Sequence, residues 1–403
     1  MKSYKLIEGV YWVGAIDYDL RVFDIVMATE FGSTYNSYLI VGSEKIALID
    51  TAKEPFKEEF FSRINDIVDV KHIDYLIVNH AEPDHSGCVE YILEKNPNIE
   101  IYGSIPACMN LKEIVNDSNL KFHKVKEGEV LSLGNKTLEF TLQPNLHWPD
   151  TMFTYLKEDN ILFTCDFFGA HYAFDGVMSS TLKNINDYDR SLKEYFDAIM
   201  SPFMAAVRSG VQKVKEYEPI IIATSHGAVL EGDYIPKAIK LYEDWSKEIT
   251  NEIPLVVIPF ASAYNYTRTM AYIIKEAIET EFSGKIKVEL YDLIEAKVDD
   301  VVKRIKQANG FLIGSATIVR DTLPTIWEIL SKVNYEELKG KISTAFGSYG
   351  WSGEAVDNII QRLEQLKMKP LPGLKIKFKP SSSQERETRE FGVNFANKLK
   401  KIL

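Results

Sequence analysis

The chain has 403 residues, 45% hydrophobic and 12% aromatic, and its 47 Lys+Arg against 58 Asp+Glu give a net charge of −11. That length calls for two or three domains with full cores, and the acidic balance argues against nucleic acid, which wants a basic stripe. Cys88, Cys108 and Cys165 form neither a CxxC pair nor a disulfide framework, which points to a reducing cytoplasm; no signal-length apolar run follows Met1-Lys2-Ser3-Tyr4-Lys5, and no stretch approaches the ~20 apolar residues of a membrane span.

Residues 1 to 50 alternate as in an antiparallel sheet, with strands at 9–14, 34–41 and 45–50, the last ending on Asp50-Thr51. A helix is expected over 56–67, then a buried strand, Ile73-Asp74-Tyr75-Leu76-Ile77-Val78. The loop leaving that strand reads His80-Ala81-Glu82-Pro83-Asp84-His85, and a helix begins near Cys88. Four side chains able to bind metal thus fall within six residues, at the strand end where α/β proteins tend to place their chemistry. In extended chain, positions i, i+2 and i+4 face one side, so His80, Glu82 and Asp84 are expected to share one space, with His85 turning in as the loop closes. Imidazoles with carboxylates suit divalent transition metals, and this many ligands suits two.

Three further candidates follow at similar places. His147 comes after the strand Thr137-Leu138-Glu139-Phe140-Thr141-Leu142, Asp166 ends Ile161-Leu162-Phe163-Thr164-Cys165, and His226 ends Ile220-Ile221-Ile222-Ala223-Thr224-Ser225 with Gly227 behind it. A lone histidine at a strand end is more often structural than a ligand. Three such groups beside an HxExDH loop reverse that expectation.

Residues 201–246 read as helices around the His226 strand, and the polar run Lys247-Glu248-Ile249-Thr250-Asn251-Glu252 before Pro254 marks a domain boundary, giving domains 1–250 and 251–403. Beyond it strands and helices alternate, with strands at 255–260, 286–290, 310–314, 342–346 and 374–378 and a last helix from about Ser383. This predicts a doubly wound parallel sheet, whose ligands bind at the C-terminal strand ends. Three loops occupy those ends. The first carries Ser262, Ala263, Tyr264, Asn265, Tyr266 and Thr267, hydroxyls and backbone N–H groups at a helix N-terminus, which suit a phosphate. The second carries Ser315, Ala316, Thr317 and Ile318; the third, Ser348, Tyr349, Gly350, Trp351, Ser352 and Gly353, joins small residues that admit a flat ring to aromatics that stack on it. GxGxxG is absent, so a Rossmann dinucleotide site is not supported.

HxExDH followed by a later His, Asp and His at strand ends resembles the metallo-β-lactamase fold, an αββα sandwich with metals at one edge. The zinc hydrolases of that fold usually have His where this chain has Glu82. A carboxylate there resembles the flavodiiron proteins, the A-type flavoproteins, and a harder, more anionic site helps to stabilise ferric iron. The second half resembles flavodoxin, and the run Gly347-Ser348-Tyr349-Gly350-Trp351-Ser352-Gly353-Glu354 is typical of flavodiiron proteins. The resemblance therefore covers essentially the whole chain: a metallo-β-lactamase-like sandwich, then a flavodoxin-like sheet.

Carried over residue by residue, the resemblance implies one iron on His80, Glu82 and His147, a second on Asp84, His85 and His226, and Asp166 bridging them. FMN would lie in the three loops. Trp148, His171 and Tyr195 fall where the family lines its distal pocket, and His171 and Tyr195 are the catalytic candidates. Three positions depart from the pattern. Asp24 follows Arg21-Val22-Phe23 where many members have His, which leaves the pocket's proton donors open. Asn265 stands where Gly is common, and Ala316 where Pro is common.

The activity so implied is electron transfer from FMN to a non-haem diiron centre that reduces dioxygen to water or nitric oxide to nitrous oxide. With no rubredoxin module present, electrons would come from a separate donor such as rubredoxin or a reduced deazaflavin or nicotinamide system. The family assembles as a head-to-tail homodimer, or a dimer of dimers, with FMN of one subunit over the diiron site of the other. The rival reading is a binuclear zinc hydrolase with a regulatory flavodoxin domain; a third is an electron carrier or redox sensor without turnover.

Overall fold

The structure, a computed structural model, describes residues 2–25, 27–248 and 251–403. Met1, and Ile249 and Thr250 of the expected boundary segment, lie outside the described residues. The chain divides into two compact units, Met1–Lys247 and Glu248–Leu403.

In the first unit, a seven-stranded sheet runs in the order Tyr4–Ile7, Val10–Trp12, Tyr38–Val41, Ile46–Ile49, Tyr75–Val78, Glu100–Gly103, His123–Lys124. A six-stranded sheet comprises Val130–Ser132, Thr137–Leu142, Met152–Leu156, Ile161–Cys165, Ile221–Thr224 and Leu230–Glu231. Both mix parallel and antiparallel pairs. Their central strands are apolar on both faces, and the period of two sorts each side chain to its layer. Tyr38 and Ile40, Ala47 and Ile49, and Ile77 meet Phe140, Met152, Ile161, Phe163 and Ala223 of the other sheet in one shared core. The intervening Leu39, Leu48, Leu76 and Val78 face outward to Phe60, Ile64, Val89 and Leu111, which lie on the helices Lys57–Asn65, Val89–Lys95 and Ile105–Ile114. Phe153, Leu162 and Ile222 do the same toward Leu192, Val207, Val211 and Tyr242, on the helices Ile185–Tyr195, Met204–Tyr217 and Tyr234–Trp245. The result is helix, sheet, sheet, helix, the αββα sandwich expected from the sequence.

The second unit has a five-stranded sheet ordered Lys287–Asp292, Leu255–Ala261, Gly310–Ser315, Ile342–Tyr349, Leu374–Lys377, which in chain order is 2-1-3-4-5. Every pair is parallel. The helices Tyr266–Glu281 and Ser382–Leu399 cover one face through Met270, Ile274, Ile278, Phe395 and Leu399. Val298–Gln307, Pro324–Ser331 and Glu354–Gln365 cover the other through Val301, Ile305, Ile329, Ile359 and Leu363. This is the flavodoxin-like doubly wound sheet. The fourth strand runs three residues beyond its expected end at Phe346. Parallel pairing of Gly347, Ser348 and Tyr349 with Lys375, Ile376 and Lys377 holds them in the ladder despite their loop-like composition. Among the described residues, no helix is long and apolar enough to cross a membrane.

Candidate metal centre and flavin loops

The HxExDH loop is extended only as far as Glu82, and not through Asp84 as the sequence suggests. Pro83–Ser86 forms a single helical turn, with Glu82 still extended at ψ 142 and Pro83 at its first position. The N–H groups of His85 and Ser86 both donate to the Glu82 carbonyl at 2.9 Å. Proline is pre-organised for a helix's first position, so the chain changes direction between Glu82 and Asp84. His80 and Glu82 leave the loop on its extended arm; Asp84 and His85 leave from the turn. The ligand candidates accordingly divide into two groups: His80, Glu82, His147 and Asp166, and Asp84, His85 and His226.

Asp166 lies between the groups. Its Oδ2 is 3.6 Å from His80 Nε2 and 3.3 Å from His147 Nε2, while its Oδ1 is 3.1 Å from His85 Nε2 and 3.4 Å from His226 Nε2. Glu82 Oε2 closes the first set at 3.0 Å from His80 and 3.3 Å from His147. Asp84 closes the second, with one oxygen 3.4 Å from His85 and the other 3.2 Å from His226. All seven sequence-predicted ligand candidates are thus brought together, and His80, Asp84, His85, Asp166 and His226 are buried.

Residues that the sequence reading did not single out as site residues hold this arrangement. Asp150 Oδ2 lies 3.0 Å from His80 Nδ1 and accepts the Ala81 N–H at 2.7 Å. Thr51 Oγ1 donates to the His85 carbonyl at 2.9 Å, and Asp50 Oδ1 accepts the N–H of Asn79 at 2.8 Å. His226 Nδ1 lies 2.6 Å from the Thr34 carbonyl oxygen. A ligating histidine whose second nitrogen is so engaged is fixed in tautomer and orientation. Gly227, at φ +77°, lets the chain turn directly behind His226, and a Cβ there would lie 2.7 Å from the Ala170 carbonyl oxygen. Asp150 had a local signal, three residues after His147 in the same loop. Thr34, nearly two hundred residues from His226, had none.

Burial opposes a charge on His80, His85 and His147. It is outweighed by the hydrogen bonds that His80 donates to Asp150 and Glu82, by the charges of Asp84 and Asp166 beside His85, and by the Asp166 and Glu82 carboxylates, each 3.3 Å from His147. Each is held up at about 10. Against burial, the same imidazoles hold the Glu82 and Asp166 carboxyls well below the usual range. Burial pushes Asp50 up to about 7. Both oxygens of Asp84 and of Asp166, and both ring nitrogens of His85, are buried without a hydrogen-bond partner. Such atoms are costly unless something satisfies them, and a nitrogen and oxygen donor set divided about one carboxylate suits two transition-metal cations. The residues present fit the diiron group that the sequence resemblance implies.

The rings around this cluster are closely packed. Trp148 stands nearly perpendicular to His80 at 5.0 Å between centroids. His171 lies 4.9 Å from Tyr195, 5.1 Å from His226 and 4.3 Å from Phe23. Burial holds His171 well below its usual pKa and raises the Tyr195 hydroxyl well above its own. Asp24 caps the hairpin beyond Phe23 in a left-handed conformation, φ 47°. Partial burial, then the nearby charges of Glu82 and Asp84, raise its carboxyl.

In the second unit the three loops meet at adjacent strand ends. Thr267 Oγ1 lies 3.2 Å from Ser348 Oγ, and the Ala316 N–H donates to the Ala261 carbonyl at 3.1 Å. Asn265 takes φ 63° before the helix Tyr266–Glu281 and makes no side-chain cap. Asn tolerates this left-handed conformation, which accounts for its standing where Gly is common. The Arg268 N–H donates to Ser262 Oγ at 3.4 Å, which leaves the earlier N–H groups of this helix start for a phosphate. The Ser315 hydroxyl is already committed to the Ala316 carbonyl and the Leu323 N–H. Thr317 and Ile318 pair with Thr322 and Asp321 in a hairpin. Tyr264 and Trp351 are 80% and 77% exposed, with the Tyr266 ring tilted 6.5 Å from Tyr264 and the Arg320 guanidinium 5.0 Å from the Trp351 ring. Tyr349 is half-buried, and a Cβ on Gly353 would meet its ring at 3.1 Å. Uncapped amides beside exposed aromatics fit a phosphate joined to a planar ring, as in FMN.

Comparisons with known proteins agree with both halves. A family described as ODP family beta lactamase matches residues 34–227, and one described as Flavodoxin matches 258–392. The chain is 38% identical to a flavo-diiron protein of Clostridium acetobutylicum, over 99% of this chain and 100% of that one. It is 33% identical to an anaerobic nitric oxide reductase flavorubredoxin of Vibrio vulnificus, covering 96% of this chain and 78% of the relative. The rubredoxin oxygen:oxidoreductase of Desulfovibrio gigas superposes with a TM-score of 0.67 at 28% identity, over 100% of this chain and 99% of the other. With both domains matched in order and the Clostridium acetobutylicum relative matched end to end, the chain belongs to the flavodiiron protein (type A flavoprotein) family, oxidoreductases whose cofactors are FMN and a non-haem diiron centre.

Proposed function

We infer that this protein passes electrons from FMN, held by residues 251–403, to a diiron centre held by residues 1–250, and that this centre reduces dioxygen to water, nitric oxide to nitrous oxide, or both. The observation that carries the reading is Asp166, whose two oxygens face two separate sets of histidines. His80, Glu82 and His147 would hold one iron, Asp84, His85 and His226 the other, with Asp166 between them. When bound, the irons supply one-electron redox chemistry and the flavin supplies the electrons.

The chain's own residues set the conditions for that chemistry. Asp150 and the Thr34 carbonyl orient His80 and His226. The buried carboxylates make the site anionic, which favours the higher iron charge. Phe23, Trp148 and Tyr195 wall the cluster and exclude bulk water, and His171 and Tyr195 are its polar lining. Ser262, Thr267 and the amides before Tyr266 would hold the flavin phosphate, and Trp351 or Tyr264 would cover the ring.

The reading extends to a cytoplasmic homodimer in which the flavin of one subunit serves the iron site of its partner, fed by a separate electron donor. One relative is named for nitric oxide and a structural neighbour for oxygen, so the test compares gases. Purified protein should contain two irons and one FMN per chain and consume dioxygen, or nitric oxide under anaerobiosis, with the same donor. Zinc-only protein that hydrolyses esters and consumes neither gas would overturn the reading in favour of a hydrolase. Subunit crossing is tested by mixing His226→Ala chains with Trp351→Ala/Ser262→Ala chains. Activity recovered in the heterodimer supports crossing, and none in a verified heterodimer rejects it.

A further inference from the structure

Ser33 is a buried hydroxyl between two histidines of different use. It lies on the short strand Ser33–Tyr35, paired with Ala15–Asp17. Its Oγ is 2.9 Å from His171 Nδ1, 3.4 Å from His226 Nδ1 and 3.2 Å from the Thr34 carbonyl oxygen. A hydroxyl has one hydrogen to give, and its surroundings decide where that hydrogen goes.

His226 is settled first. Its Nδ1 is 2.6 Å from the Thr34 carbonyl, and a carbonyl only accepts. That nitrogen therefore carries a hydrogen, so in the neutral ring the lone pair is on Nε2, on the side of Asp84 and Asp166 at 3.2 and 3.4 Å. With a hydrogen on His226 Nδ1, Ser33 cannot donate there. Two acceptors remain for its hydrogen. The Thr34 carbonyl is the longer contact and already receives the His226 hydrogen. His171 Nδ1 is the shorter contact and has no other partner among the described residues. A neutral imidazole carries one hydrogen, so if Ser33 donates to Nδ1, the imidazole hydrogen must sit on Nε2. His171 Nε2 is buried and unpartnered in the protein.

We propose that Ser33 is a positioning residue that holds His171 as the Nε2–H tautomer, while the carbonyl of the next residue holds His226 as the Nδ1–H tautomer. Two successive strand residues thereby set two adjacent rings, 5.1 Å apart, in opposite senses. His226 presents a lone pair to a metal. His171 presents an unspent N–H donor. The tautomers rest on the hydrogen-bond inventory alone; the use of the donor rests on the function proposed above. There it would meet a small ligand carrying oxygen or nitrogen lone pairs, where a fixed donor stabilises developing negative charge.

The test uses full-length, zinc-loaded protein, which is diamagnetic, with 15N-labelled histidine and long-range 1H–15N correlation spectra. His171→Asn and His226→Asn assign the signals. The expected result is an Nε2–H pattern for His171 and an Nδ1–H pattern for His226. Ser33→Ala should convert His171 largely to Nδ1–H, and Ser33→Thr, which keeps the hydroxyl, should restore the wild-type pattern. His171 found as Nδ1–H in the wild type overturns the proposal, as does an unchanged His171 in Ser33→Ala. Should Ser33→Ala not fold, the wild-type spectrum decides alone. A second measurement reads the donor itself. Azide binding to the iron-loaded chain should weaken about fivefold in Ser33→Ala, the worth of one neutral hydrogen bond, with metal content unchanged; equal azide affinity overturns the donor's role. A protein that shows the expected tautomers but turns over neither gas keeps this inference and loses the proposed function.

Discussion

Asp150 Oδ2 lies 3.0 Å from His80 Nδ1, and the same oxygen accepts the Ala81 N–H at 2.7 Å. One carboxylate thus fixes both the ring and the backbone of the first ligand candidate. Asp150→Ala should weaken metal binding about 10- to 100-fold, the usual cost of losing such an outer partner. Competition with a chromophoric chelator measures it, and Asp150→Asn, which retains an acceptor oxygen, should fall between. Equal affinity in the alanine variant would remove Asp150 from the site's support.

Asp166 is the group shared by both ligand sets, so its loss should affect both. Asp166→Ala is expected to hold fewer than two metals per chain by elemental analysis and to lose turnover. Glu82→His keeps a ligand but removes a negative charge. It should retain metal, favour zinc over iron in competitive loading, and lower gas reduction; unchanged iron preference would show that the carboxylate is not what selects the metal.

The protonation of the cluster makes a pH prediction for metal-free protein. His80, His85 and His147 are raised to about 10 in the folded chain, against about 6.5 when unfolded. Stability from raised histidines is complete below the unfolded value and is lost as pH rises through about 10. Glu82 and Asp166 are lowered, so their contribution is present above the unfolded carboxylate value and lost as pH falls toward the folded one. Urea midpoints of the metal-free chain should therefore decline from pH 6 to pH 10. Metal loading should release protons at pH 7 and flatten that decline, and proton release on loading can be followed with an indicator dye.

Trp351 is exposed and touches the Arg320 guanidinium, 5.0 Å above its ring. Removing it should leave the fold intact. Stacking on an aromatic ring is worth about 0.5–1.5 kcal/mol, so Trp351→Ala should raise the FMN Kd about 2- to 13-fold, read by flavin fluorescence quenching, with the urea midpoint of the flavin-free protein unchanged.

Much of this was legible in the sequence because metal ligands are rare residue types placed at strand exits. Seven histidines occur in the chain, and four of them joined Glu82, Asp84 and Asp166. The helical turn at Pro83 was also announced, since proline after an extended residue is a helix-start signal, but reading positions 80 to 84 as extended overrode it. Ser33 and Thr34 could not be found that way. Their role depends on a strand reaching His171 and His226 across the fold, and nothing local marks a serine as a tautomer switch. The extension of the fourth parallel strand through Ser348 was hidden for a different reason: Gly-Ser-Tyr-Gly has the composition of a turn, and only its pairing with Ile376 makes it strand.

The single turn Pro83–Ser86 ties the two halves of the metal centre together more tightly than a list of ligands conveys. Asp84 and His85 are two and three residues past Glu82 on that turn, so a residue gained or lost there would rotate one half-site by about 100° against the other. Neither half can drift independently in evolution. Substitution at a position is open to selection, as the Glu82 carboxylate in place of imidazole illustrates, whereas insertion and deletion within these six residues are closed. The spacing should therefore outlast the ligand identities, and chains of altered chemistry should remain recognisable by that interval even after its letters have changed.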